Sequence, residues 1–260
     1  MLRFDAMNSY RQAIIAVLAA QLFCGIATAQ LGWNFVPKQS EYAAWPEHCR
    51  VQFAYISPGY ENRYSQAEIA FWRTRIGEKT FIAMHHYCAA LIYINRSRYE
   101  ENPRERQYLV DLALNDGDYT YTRAEKTSIL YPNIAVVMAQ ARYENNEIAK
   151  AVQILQAAIA AQPTRTEAYA ELTAIYHRQD RLPQALEVLE QADAASGGRS
   201  AEVKYNLGLL QIEAGQIDQA VESARAAYAL GHPLPGLRNK LQRLGRSVTP
   251  TSDADASRTQ

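Results

Sequence analysis

Three stretches decide the fold: AVQILQAA at 151–158, ALEVLEQA at 185–192 and AVESARAA at 220–227. Each has the form Ala-x3-(Leu/Ala)-x2-Ala. Ala151, Leu155 and Ala158 therefore share one face of a helix, as do Ala185, Leu189 and Ala192, and again Ala220, Ala224 and Ala227. Successive copies are offset by 34 and then 35 residues. Self-similarity at such a period marks stacked helical hairpins, each burying its apolar face against its neighbours. In the same register upstream, Met138, Leu172 and Leu207 take the large apolar position of a preceding helix, and Ala139, Thr173 and Gly208 the small position after it. Small side chains let antiparallel helices approach closely, while the large ones fill the gaps between hairpins.

The punctuation agrees with the period. Seven residues after each small residue stand Asn146, Asp180 and Gly215, the types that best tolerate a left-handed turn between helices. Each second helix is then expected to end near Pro163, Gly197-Gly198 or His232-Pro233. Over residues 132–233 this pattern resembles the tetratricopeptide repeat family, with repeats at 132–165, 166–200 and 201–234. The resemblance implies an all-α fold, a short right-handed solenoid of antiparallel hairpins whose concave groove, lined by first-helix residues, binds a protein or peptide segment. It would place Val136 and Gln140, then Glu167, Glu171, Ala174, His177 and Arg178, then Tyr205, Asn206 and Leu209 in that groove. Glu171, Tyr205 and Asn206 are expected to project from it at little cost to folding. The family's two-carboxylate clamp for chaperone tails needs lysines where Val136 and Glu202 stand, and only Asn206 is of a suitable type. The mixed acidic and apolar lining instead suits a basic or amphipathic segment.

The flanks read differently. Arg3 and Arg11, the apolar stretch Ala13 to Ala27 and Ala27-Thr28-Ala29 make residues 1–29 an expected signal peptide, with Met7 an equally serviceable start. The alternative is an uncleaved anchor, for which the apolar run is short. Residues 30–77, with Pro37, Pro46, Pro58-Gly59 and many aromatics, read as an irregular cap carrying short helices, one from Ser65 to Ile76. Residues 78–128 read as a divergent hairpin whose first helix is apolar on much of its surface, from Phe81, Ile82 and Met84 to Tyr93, and is expected to be buried. Pro103 suits the first turn of the second helix. Residues 235–246, with Leu237, Leu241 and Leu244 among basic residues, read as a cap helix, and 247–260 as a disordered tail.

The 260 residues hold 27 Lys+Arg against 27 Asp+Glu, which points away from nucleic acid, and no long apolar run follows the N-terminus. The expected location is the periplasm or the outside of the cell. There, Cys49 and Cys88 are expected to form a disulfide, whose loop is worth roughly 3 to 4 kcal/mol. The alternative is a metal or haem site built on His48, His85 and Cys88, with His86 facing elsewhere; His85 and Cys88, three apart on a helix, share a face. No C-x2-C or H-E-x-x-H pattern supports that alternative, and neither a phosphate loop nor a Gly-x-Ser-x-Gly elbow occurs. The sequence implies no cofactor and no catalytic set. Trp45-Pro46-Glu47-His48-Cys49 and Met84-His85-His86-Tyr87-Cys88 are similar to a block in uncharacterised secreted bacterial tetratricopeptide proteins, which adds no mechanism.

Overall fold

The computed structural model describes residues 35–57 and 63–248. The signal peptide expected at 1–29 lies outside the described residues. Contacts divide the chain into Met1–Lys38 and Gln39–Gln260, and every helix considered below belongs to the second unit. The described residues form twelve α-helices and no strand. None of these helices is long and apolar enough to cross a membrane.

Three hairpins carry the period: α6 (Tyr131–Glu144) with α7 (Ile148–Ala161), α8 (Glu167–Arg178) with α9 (Leu182–Ala195), and α10 (Ala201–Glu213) with α11 (Ile217–Ala229). Their turns share one device. Asn146 and Asp180 adopt φ of 58° and 57°, and Gly215 takes the equivalent place at 74°. The residue after each returns a hydrogen bond five residues back to the end of the first helix: Glu147 N–H to Arg142 O, Arg181 N–H to Tyr176 O and Gln216 N–H to Gln211 O. These bonds satisfy carbonyls that the helix end would otherwise leave open.

The alanines at the repeat positions of all three second helices are buried, as are Leu155 and Leu189. Those of α7 and α9 form one core with Leu172, Ile175, Leu207 and Leu210 of the first helices, while Ala220 and Ala224 of α11 belong to a second core with Leu237 and Leu241. Gly208 shows why one position must be small. An ideal Cβ there would lie 2.6 Å from Leu237 Cδ2 and 3.4 Å from the Ala220 carbonyl. Between α10 and α11, Ser223 Oγ donates to Gln211 Oε1 at 2.7 Å, so the polar groups buried at that contact satisfy each other.

Preceding the repeats, α4 (Glu78–Tyr99) and α5 (Pro103–Arg123) form a longer hairpin. Pro103 opens α5, and Asn102 Oδ1 accepts from the Arg104 and Glu105 amides. The helix α4 is buried along Phe81, Met84, Tyr87, Cys88, Ile92 and Ile94, but Ile82, expected inside, is 55% exposed. The segment read as irregular carries two helices beyond the expected one: α1 (Gln39–Ala44), α2 (Glu47–Ile56) and α3 (Gln66–Ile76). Pro46 is the reason the second was missed. It reads as a breaker, yet its carbonyl accepts the Cys49 and Arg50 amides and so starts α2. A capping box, Ser65 with Glu68, starts α3.

At the far end α12 (Gly236–Arg243) buries Leu237 and Leu241 against the last hairpin. Val248 joins that cluster, so the ordered cap extends past Ser247, where the sequence alone placed the start of the tail. Residues 249–260 lie outside the described ones.

Candidate binding groove and the cysteine-histidine block

First helices touch first helices along the stack. The helix α6 packs against both α4 and α8, while α7 packs into the angle between α6 and α8. The first helices thus lie in one layer and the second helices in another, and the tetratricopeptide resemblance would make the first-helix layer the inner one.

On the inner layer, side chains bridge successive hairpins. Gln140 Nε2 donates to Glu171 Oε2 at 2.7 Å, and Arg178 Nη2 donates to the other oxygen, Oε1, at 2.9 Å. The Arg178 guanidinium lies over the Tyr143 ring, 4.4 Å from its centroid. One hairpin further on, His177 Nε2 and Glu213 Oε2 are 2.6 Å apart. Glu167 pairs instead with its neighbour Arg165. Val136, Ala174 and Asn206 are half-buried, and Val136 packs on the repeat core. Gln140, Glu171 and Arg178 thus come together as one network with Tyr143, which the sequence reading did not single out. Tyr143 stands one turn beyond Gln140, so helical spacing alone could have found it.

Tyr205 and Leu209 are placed otherwise. The Tyr205 ring stacks on His232 with centroids 3.9 Å apart, and its hydroxyl fills the space beside Gly236. Leu209 packs on the C-terminal cluster. Both side chains serve the junction with the cap helix, so the expectation that Tyr205 projects freely into the groove is corrected. The cause is local. His232, in the segment between α11 and α12, stacks on Tyr205 of α10 and also meets the Tyr228 ring of α11 edge-on.

The second candidate region lies where α2, α3 and α4 meet. Cys49 and Cys88 are buried with Cα atoms 5.7 Å apart and sulfurs 2.00 Å apart, the arrangement of a disulfide. Trp45 Nε1 donates to the Cys88 carbonyl at 3.0 Å, and Arg96 forms a two-pronged ion pair with Glu41. The His48 ring sits between Trp72, edge-on at 5.5 Å, and Tyr87, nearly parallel at 6.3 Å. Its Nε2 is buried without a hydrogen-bond partner, and burial lowers its pKa to about 4.

His85 and His86 lie on the same helix but face the second helix of the hairpin. His86 Nδ1 and Asp116 Oδ1 are 2.5 Å apart, and the His86 ring lies 4.1 Å from both the His85 and Tyr119 rings. His85 Nδ1 donates to the Ile82 carbonyl at 2.9 Å. Burial, then the neighbouring His86, lowers its pKa to about 4. His48, His85 and Cys88 therefore sit in three different environments. Among the described residues no three His, Cys, Asp or Glu side chains are grouped to hold a metal ion.

No protein-family model matches the sequence, and no curated protein does. Among solved structures, residues 41 to the end of MamA from Desulfovibrio magneticus are 20% identical, with 60% of this chain and 84% of that one covered and a TM-score of 0.41. TTC0263, described as a thermophilic TPR protein of Thermus thermophilus, is 17% identical, with 65% and 95% covered and a TM-score of 0.42. Likenesses of that size carry no argument about what this chain binds. The repeat is established within the molecule: the period, the left-handed residue in each turn and the small-against-large packing make α6 to α11 three tetratricopeptide-type hairpins in an all-α solenoid.

Proposed function

We propose that the chain is an exported, noncatalytic interaction or assembly module that takes a partner segment along the inner layer of its hairpins. The observation that carries this reading is the row Gln140, Glu171, Arg178, His177 and Glu213. These polar side chains link successive hairpins on the inner side, above a core that apolar residues already complete. The His177–Glu213 pair is exposed, and pairs of that kind contribute little to stability and can exchange their partners for those of an incoming chain. The carboxylates Glu171 and Glu213 in that row favour a basic or amphipathic segment. Export is supported by the order of Arg3, Arg11, the apolar stretch and Ala27-Thr28-Ala29, and by the placement of Cys49 beside Cys88, since disulfides persist in oxidising compartments.

The test is capture of partners by the purified protein from the envelope of the cells that make it, followed by affinity measurement with Glu213→Lys. Reversing that charge is expected to weaken a basic partner by about tenfold while leaving the melting temperature within a few degrees. Unchanged affinity would remove the groove from the account.

A further inference from the structure

The arrangement around His48 does not bear on the groove, and it is unusual in its own right. A histidine whose Nε2 is buried without a partner is enclosed by rings from two other helices, at the point where the cap meets the first hairpin. From α3 it is faced by Trp72 and from α4 by Tyr87. Neither carries charge near neutrality, and burial pushes the Tyr87 hydroxyl further from ionisation. On its own helix its charged neighbours in sequence are Glu47 and Arg50. Cys49 and Cys88, in disulfide geometry beside it, do not titrate.

The three cap helices are not held equally. Trp45, beside α1, bonds to the Cys88 carbonyl, α1 itself is fixed through Glu41 to Arg96, and α2 through Cys49 to Cys88. The ties of α3 are weaker: it rests on buried Ile69 and Ile76, on the ring contact of Trp72 with His48, and on Arg73, which makes a surface pair with Glu78 of α4 and lies over the Tyr55 ring of α2. One residue, Gly77, links it to α4, at φ 93°, a conformation open to glycine.

We propose that α3 is a pH-sensitive flap: protonation of His48 expels its ring from between Trp72 and Tyr87, and α3 turns outward about Gly77 while α1 and α2 stay seated. An imidazolium in this enclosure loses its hydration, and an edge-on indole does not replace it. The sign follows from the lowered pKa in the closed form. With a free value of 6.5 and a closed value of about 4, closure is fully favoured above pH 6.5 and weakens as pH falls toward 4. The carboxyls at the two ends of α3 are shifted down, away from that window. Ser65 holds Glu68, and Arg73 holds Glu78, below the ordinary carboxylate range.

Hydrogen exchange of the protein purified from its own cells, corrected for the intrinsic pH dependence of amides, tests this between pH 7.5 and 4.5. Protection over residues 66–76 should fall by at least about tenfold, while that of α6 to α10 holds. In His48→Phe, which keeps a ring and loses the titration, protection of 66–76 should be independent of pH. Equal loss in His48→Phe, unchanged protection in the wild type, or simultaneous opening of the repeats would overturn the flap. Should His48→Phe not fold, an NMR titration of the wild-type imidazole decides. A midpoint below about 5 supports the proposal, and one at 6.5 or above refutes it.

Discussion

In the repeats the buried positions are alanines and leucines at fixed intervals, Ala151, Leu155 and Ala158 and their successors, and the polar groups between helices meet across the surface. In the cap and first hairpin the same work falls to Trp45, Phe53, Phe81 and Tyr87, to a histidine with an orphan nitrogen and to a cysteine pair. The contrast has a physical origin. A repeat buries its face against a near-identical neighbour, so a small set of shapes serves every interface. The first hairpin has no preceding repeat, and short helices must cover it with large rings and a covalent tie.

The largest effect that would separate the two regions is loss of the cysteine pair. With the cysteines 39 positions apart in sequence, Cys49→Ser with Cys88→Ser should destabilise the cap and first hairpin by about 4 kcal/mol in the loop-closure account, read as a lower urea midpoint. Adding reductant during denaturation should reproduce the shift in the wild type and leave the double variant unchanged. If the double variant melts like the wild type, the cap is held by its rings alone and the comparison breaks.

The matching test in the repeats is Leu155→Ala. Its side chain is fully buried, so a loss of about 3 kcal/mol is expected, with a dry cavity in the shared core. Gly208→Ala is the converse, adding a methyl where none fits. Leu237 Cδ2 must give way, and because Leu237 is itself fully buried the cost should be about 1 to 3 kcal/mol, localised to α12 by hydrogen exchange. A neutral Gly208→Ala would show that the cap helix shifts freely, and that the small position in the third repeat is not sterically required.

These residues also show what the sequence makes legible. Asn146, Asp180 and Gly215 were readable as turns because a left-handed residue must recur wherever the same hairpin recurs, and their φ values agree. Which first-helix side chains share a face was readable, since spacing along a helix fixes direction. The pairing of Glu171 with both Gln140 and Arg178 was not, because a carboxylate on a helix face can reach several partners and only the curvature of the stack chooses among them. In the cap, Pro46 hid a helix start, and nothing in the spacing of His48 and Trp72, twenty-four residues apart, signals that their rings touch. Contacts that occur once leave no period to read.

Tyr205 sharpens that limit. It stands at a groove position by register, yet its ring lies on His232 and its hydroxyl beside Gly236. Tyr205→Ala should therefore cost roughly 1 to 2 kcal/mol, through the lost ring pair and lost packing, and lower the thermal midpoint by a few degrees. His232→Ala made together with it should add less than the sum of the two single changes, since both remove one contact. A thermal midpoint unmoved by Tyr205→Ala would return the residue to the groove.

The smallest expected effect is at Arg178, and it bears most directly on function. Its guanidinium reaches Glu171 at 2.9 Å and lies over Tyr143, but its side chain is 42% exposed. An exposed pair of this kind is worth about 0.2 to 1 kcal/mol, and the ring contact about as much at a surface site. Arg178→Ala should thus change stability by no more than about 1 kcal/mol. The Glu171 side chain is only 11% exposed, and without Arg178 it keeps a single neutral donor, Gln140. Its carboxylate then becomes the strongest unneutralised charge on the inner layer. A basic partner segment should bind Arg178→Ala more tightly than the wild type, with a gain that shrinks as salt is raised. Isothermal titration at two salt concentrations reads both quantities. Weaker binding by Arg178→Ala would mean that the arginine itself meets the partner, and the favoured segment would then be acidic.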